Sequence, residues 1–166
     1  MTEIKTAGTP ARLRRRAANT GDEPWLRQFF ALLRGLDPAL IALCPALLEQ
    51  QWQLQQCAFA SHYPGARTDL ILLEGDPIGL VTLHEGATAI RILELGLAPR
   101  HRGQGLGERL LAEIIREADA RDQAVELAVM RHNPALRLYQ RLGFLVLPGD
   151  EDAVQLQMRR PAHHAD

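Results

Sequence analysis

Six residues near the middle of the chain, Arg102-Gly103-Gln104-Gly105-Leu106-Gly107, constrain the fold more than any other stretch. They stand between an apolar, strand-like run, Ala89 to Leu97, and a segment with a clear helical period. In that segment Leu106, Leu110, Leu111, Ile114, Ile115 and Ala118 share one face, while Glu108, Glu113, Arg116 and Glu117 share the other. This pattern predicts an amphipathic helix packed on a sheet. Glycines at the joint remove side chains and let backbone N–H groups approach a ligand closely. The helix entrance adds N–H groups without intrahelical partners and the positive end of the helix dipole. Strand, glycine loop and helix entrance together predict an anion site whose natural guest is a phosphate ester or pyrophosphate. Arg100, His101 and Arg102 add positive charge at the same rim.

Spacing narrows the choice of phosphate ligand. A Walker loop needs Gly-Lys followed by Ser or Thr, which is absent here. A dinucleotide fingerprint needs G-x-G-x-x-G near the start of a βαβ unit. Here the glycines run G-x-G-x-G, and they follow an antiparallel meander. That meander is predicted from Leu70 to Glu74, Ile78 to His84 and Ala89 to Leu97, with turns at Gly75-Asp76-Pro77 and Glu85-Gly86-Ala87.

Upstream, Leu13 to Ala18 reads as a first strand, and the basic run Arg12 to Arg16 as its surface edge or a weak anion patch. A turn at Asn19 to Asp22 leads to a helix with Pro24 in its first turn and an apolar stripe of Trp25, Phe29, Leu32, Leu33 and Leu36. Asp37-Pro38 caps a short second helix, and a third runs from about Ala46 to Ser61 with Leu48, Trp52, Gln55 and Phe59 along one face. Downstream, Val125 to Met130 is an apolar strand. Asn133-Pro134 caps a helix whose Ala135, Leu138, Tyr139 and Leu142 share a face, and Gly143 stops it. Phe144 to Leu147 and Val154 to Met158 supply two last strands. The predicted fold class is α/β, with a mixed sheet of six to seven strands and helices on both faces. A length of 166 residues suits one domain spanning 1–166, with 1–10 and 161–166 flexible.

The formal net charge of -1, without a basic block, argues against a nucleic-acid partner. No apolar run approaches the ~20 residues needed to cross a bilayer, and the N-terminus lacks the apolar core of a secretory signal. Cys44 and Cys57 show no metal-ligand spacing. They are expected to be reduced and packed as small hydrophobes in a cytoplasmic protein. No metal site is predicted.

The segment LELGLAPRHRGQGLGERLL resembles motif A of the GNAT superfamily of acyl-CoA-dependent N-acyltransferases. That motif, Q/R-x-x-G-x-G/A, matches Arg102, Gly105 and Gly107. Further on, NPALRLYQRLGF resembles motif B through Asn133, Ala135, Leu138, Tyr139, Gly143 and Phe144. The two motifs span roughly Leu93 to Phe144; upstream of Leu70 only the element order is similar.

The resemblance implies a GNAT-like fold, acetyl-CoA as cofactor and a primary amine of a small molecule or peptide as acceptor. It implies that the strand around Glu94-Leu95-Gly96-Leu97 parts from its neighbour at a bulge, for which Gly96 offers freedom. Leu95, Gly96 and Leu97 then present backbone to the pantetheine arm, the Leu95 N–H serving as oxyanion donor. Arg102, Gly103, Gln104, Gly105, Leu106 and Gly107 hold the pyrophosphate, and Asn133 contacts the cofactor arm. Tyr139 matches the tyrosine that protonates the departing thiolate. Glu94 is the leading candidate base, ahead of His84, His62 and Tyr63. Homodimerisation is common among such relatives. A non-catalytic acyl-CoA-binding sensor module is the alternative reading.

Overall fold

A computed structural model describes residues 12–149 and 153–163. The expected flexible segment 1–10 and residues 164–166 lie outside them. His163 is described, and its N–H donates to Asp119 Oδ1 at 3.0 Å.

Among the described residues seven strands form one mixed sheet in the order β1-β2-β3-β4-β5-β7-β6. They are β1 (Leu13–Ala17), β2 (Arg67–Leu73), β3 (Asp76–Glu85), β4 (Ala89–Leu97), β5 (Ala124–Met130), β6 (Leu145–Val146) and β7 (Gln155–Arg160). Every neighbouring pair is antiparallel except β4 and β5. That parallel step requires a crossover, which α4 (Leu106–Asp119) provides.

The face carrying α4 holds the main core. The six apolar residues expected on that helix are all buried, against Val81, Ile92, Val125 and Phe144 among others. At ~25 cal/mol per Å² of apolar surface, each large side chain so covered contributes roughly 1.5–3 kcal/mol. On this side Arg15 departs from its expected role at a surface edge. Its side chain is buried and pairs with Asp69 and with Glu113 and Glu117 of α4, tying the edge strand to the helix.

The opposite face is covered by α1 (Glu23–Leu33), α2 (Pro38–Leu43) and α3 (Pro45–His62). Helix α1 turns differently from the expected stripe: Leu26, Phe29, Phe30 and Ala31 are buried, while Leu32 is exposed. Stacking of Trp25 on Phe29, with ring centroids 4.6 Å apart, accompanies this rotation. Leu26 and Phe29 meet Leu70 and Leu80 of the sheet in a smaller core. Helix α3 has no buried residue. Cys44 and Cys57 are exposed and free rather than packed, because both lie in this thinly seated layer.

Two local expectations shift. The β2–β3 turn is Glu74-Gly75, since Leu73 already pairs with Asp76; Pro77 lies within β3 beside a register shift, where its missing N–H is tolerated. Helix α5 (Leu136–Arg141) has Ala135 rather than Asn133 at its N-cap. The Asn133 side chain instead closes a turn by accepting the Ala135 N–H at 2.9 Å. Among the described residues no helix is long and apolar enough to cross a membrane, and no cluster of side chains could hold a metal ion.

Candidate active site

Strands β4 and β5 pair only from Ala89↔Ala124 to Ile92↔Leu127. Beyond that rung they part, and Glu94 to Leu97 pair with β3 alone. The parting coincides with a bulge at Leu93, because Thr82 faces Glu94 while Leu83 faces Ile92. The irregularity therefore sits three residues before Gly96, where it was expected. Gly96 meets a different demand. A Cβ there would lie 2.4 Å from Leu33 Cδ2, so the glycine lets α1 settle close against the sheet.

The bulge changes which way the strand faces. Ile92 belongs to the core under α4, and strict alternation would send Glu94 there too. The extra residue instead puts Leu95 in that core and Glu94 on the α1–α3 face, opposite Thr82. Alternation also directs the backbone. The Ala98 N–H points at Ile78 O of β3 at 2.8 Å, so the N–H and C=O groups of Leu95 and Leu97 point away from β3, into the gap. Consistent with this, Leu97 O accepts from Arg102 Nε at 2.8 Å.

The loop continues through a short turn of 3-10 helix, Pro99–His101, into two glycines in the left-handed region, Gly103 at φ 70° and Gly105 at φ 74°. A Cβ built on either would meet nothing within 4 Å. Gly105 caps α4 without a side-chain hydrogen bond, and among the described residues no side chain takes the N–H groups of Leu106 and Gly107, which leaves them available to an acceptor. Gln104 braces the loop by donating to Arg100 O at 2.8 Å. A Cβ added to Gly107 would lie 3.9 Å from Leu97 Cδ1, an ordinary contact that would admit alanine. Of the other expected residues, Tyr139 packs edge-on to Phe144 at 5.8 Å, at the margin of the core under α4. Burial pushes its hydroxyl above the usual tyrosine range.

On the opposite face Glu94 opens into a cavity of about 340 Å³. Burial raises its carboxyl above the ordinary range, and two groups oppose that rise, a hydrogen bond from Gln55 and the charge of Arg34. The three form a chain. Arg34 donates to Gln55 Oε1 at 2.8 Å, and Gln55 Nε2 donates to Glu94 Oε2 at 2.8 Å. Because Arg34 takes the amide oxygen, Gln55 can offer Glu94 only its NH₂ group. Neither Gln55 nor Arg34 was expected at the site: the sequence places Gln55 on the helical face of Trp52 and Phe59, and that polar residue in an apolar stripe was the available signal. The other candidate bases lie outside this cavity's lining. His62 Nδ1 contacts Ala58 O at 2.9 Å, and Tyr63 stacks obliquely on His84.

The family model described as the acetyltransferase (GNAT) family matches residues 27–144. The chain belongs to the GNAT acetyltransferase family. This GNAT chain is 33% identical over 120 residues to N-alpha-acetyltransferase 40 of Saccharomyces cerevisiae. The match covers 64% of the chain and 41% of that relative, so it spans about two-fifths of the yeast protein. Solved structures that share the fold include two N-acetyltransferases. PaiA N-acetyltransferase of Thermoplasma acidophilum, in complex with coenzyme A, gives a TM-score of 0.63 at 18% identity, covering 90% of this chain and 99% of that one. The ribosomal-protein-S18-alanine N-acetyltransferase of Escherichia coli gives 0.65 at 19% identity, covering 93% and 97%.

The family's donor is acetyl-CoA, and this GNAT chain's residues suit it. Bare glycines that face open space, uncapped N–H groups at a helix entrance and nearby arginines are the donor set a pyrophosphate needs. The backbone groups of Leu95 and the Leu97 N–H, which face the gap without a strand partner, suit the amide groups of a pantetheine arm.

Proposed function

We propose that the protein is an acetyl-CoA-dependent N-acetyltransferase in which Glu94 and Tyr139 handle the protons on either side of the parted strands. The overall change is amine plus thioester to amide plus thiol. When bound, acetyl-CoA supplies an activated acetyl group. The chain's residues do the rest. The loop from Arg102 to Gly107 grips phosphate oxygens, Leu95, Gly96 and Leu97 line the arm, and Asn133 borders it. The Leu95 N–H donates to the carbonyl oxygen as negative charge gathers there.

An aliphatic amine of pKa about 10.4 arrives protonated, and freeing it at pH 7 costs roughly 4–5 kcal/mol. Glu94 takes that proton. Its carboxyl, raised by burial, is a stronger base than an exposed glutamate. Tyr139 carries a proton to the departing sulfur. The side chain is half-buried, and its hydroxyl, already protonated at neutral pH in an ordinary tyrosine and pushed further up by burial, holds a proton to give. A reducing, cytoplasmic setting fits the two exposed free thiols.

The observation that carries this reading is the bulge at Leu93. One irregularity frees backbone on the donor side and turns Glu94 to the acceptor side. Thiol release from acetyl-CoA with an amine panel tests it, alongside Glu94→Gln and Tyr139→Phe. Each substitution is expected to lower kcat about 100-fold while acetyl-CoA binding stays within about threefold. Wild-type turnover in either variant removes that residue's role. Binding of acetyl-CoA with no transfer to any amine points instead to a sensor module.

Glu94→Gln also checks itself against unfolding. A carboxyl raised in the folded state disfavours folding once pH exceeds its ordinary value near 4.3. The amide variant is therefore expected to be the more stable protein at pH 7. Its advantage fades as pH falls through the carboxylate range.

A further inference from the structure

The acceptor cavity has an uneven lining. Leu26, Trp52, Phe59 and Leu80 give it apolar walls, and among the described residues Glu94 is its one carboxylate. The buried Asp69 nearby faces Arg15 and Arg67 instead. The hydroxyls of Thr68 and Thr82 bond each other at 2.9 Å. Two cations flank the space. Arg67 stands at its lining, held to Asp69 at 3.0 Å, and Arg34 reaches Glu94 through Gln55. One negative charge is available to an incoming ammonium group and none to a second.

From this we infer that the acceptor presents a single primary amine on a compact apolar body, and that di- and polyamines are poor substrates. The inference rests on the acetyl-transfer reading for the identity of the reacting group. The apolar walls cover the body, and Glu94 receives the amine. A second ammonium group in the cavity loses its water with no carboxylate in return, which is costly in an apolar surround. The volume of about 340 Å³ is at the small end for ligand pockets and suits a body the size of one side chain. That chemistry is offered by a free aralkyl or branched alkyl amine, and equally by the first residue of a peptide beginning with a large apolar side chain.

The test compares kcat/KM for 2-phenylethylamine, 1,4-diaminobutane, a peptide starting with leucine and one starting with lysine. The apolar monoamine or the leucine peptide is expected to exceed the diamine and the lysine peptide by at least tenfold. The better of the first two identifies the source. Equal or better use of the diamine overturns the inference.

A gain-of-function variant sharpens it. Gln56 is exposed and lines the cavity, so Gln56→Glu adds the missing second carboxylate. Activity on the diamine is expected to rise about tenfold relative to 2-phenylethylamine, and an unchanged ratio counts against the charge argument. Failure of transfer chemistry is separated by fluorescence. In a Trp25→Phe variant Trp52 is the remaining tryptophan and reports cavity occupancy without turnover. A response to 2-phenylethylamine but not to the diamine keeps the inference even if no acetyl group moves. No response to the monoamine ends it, even if acetyl-CoA binds.

Discussion

Two helices on opposite faces of the same sheet are seated in opposite ways. Helix α4 buries six of its 14 residues, whereas α3, at 18 residues, buries none. The difference divides the labour of a two-substrate site. Donor chemistry depends on a helix entrance and a strand gap held still to within a fraction of an ångström, and a fully packed helix provides that. The acceptor side is walled by a helix that touches the sheet through a few side chains, among them Trp52 and Gln55. Such a layer can yield to admit a substrate at little energetic cost.

The largest effect that would break this contrast is on stability. Leu110→Ala empties a fully buried position in α4 and is expected to cost about 2–5 kcal/mol in denaturant unfolding. Leu54→Ala, at a leucine that is 62% exposed on α3, should stay within about 0.5 kcal/mol. Comparable losses in the two variants would mean that α3 is seated as firmly as α4.

Much of the donor side was legible in the sequence. The period of α4 predicted all six of its buried residues, and the bounds of β4 agree with its apolar run. Those features depend on one segment's own pattern. What the sequence hid depends on pairs of segments. The bulge at Leu93 exists only in the register between β3 and β4, so it could be placed only loosely, and the glycine drew it to the wrong residue. Rotation of α1 is set by its contact with Gly96, and the burial of Arg15 by carboxylates 98 and 102 residues away. Leu32 fits a helical stripe in isolation, yet the sheet lies on the other side.

Gly96 is where the two halves meet, and it offers a medium-sized test. Its backbone borders the strand gap, while its missing side chain admits Leu33 of α1. Gly96→Ala forces Leu33 aside and is expected to cost about 1–3 kcal/mol, as overpacking does. Because the push falls on α1, KM for the amine should rise more than KM for acetyl-CoA. Equal changes in both would mean that the strand itself moves.

The smallest effect is the most diagnostic for the acceptor side. Gln55 gives α3 its polar link to β4, and its N–H favours the charged form of Glu94. In Gln55→Leu that support is lost and burial acts on Glu94 with less opposition, from the charge of Arg34 alone. The carboxyl then rises further, so a larger share of it is protonated at any mildly acidic pH and cannot accept a proton. The acid limb of kcat/KM against pH should therefore move to higher pH, and the loss, within tenfold at pH 6, should largely vanish on the alkaline plateau. The amine's own titration is common to both proteins and cancels in the comparison. If α3 were merely loosened, activity would fall by the same factor at every pH. A uniform drop would make Gln55 a structural strut, and a displaced limb would make it the group that sets the working pH of Glu94.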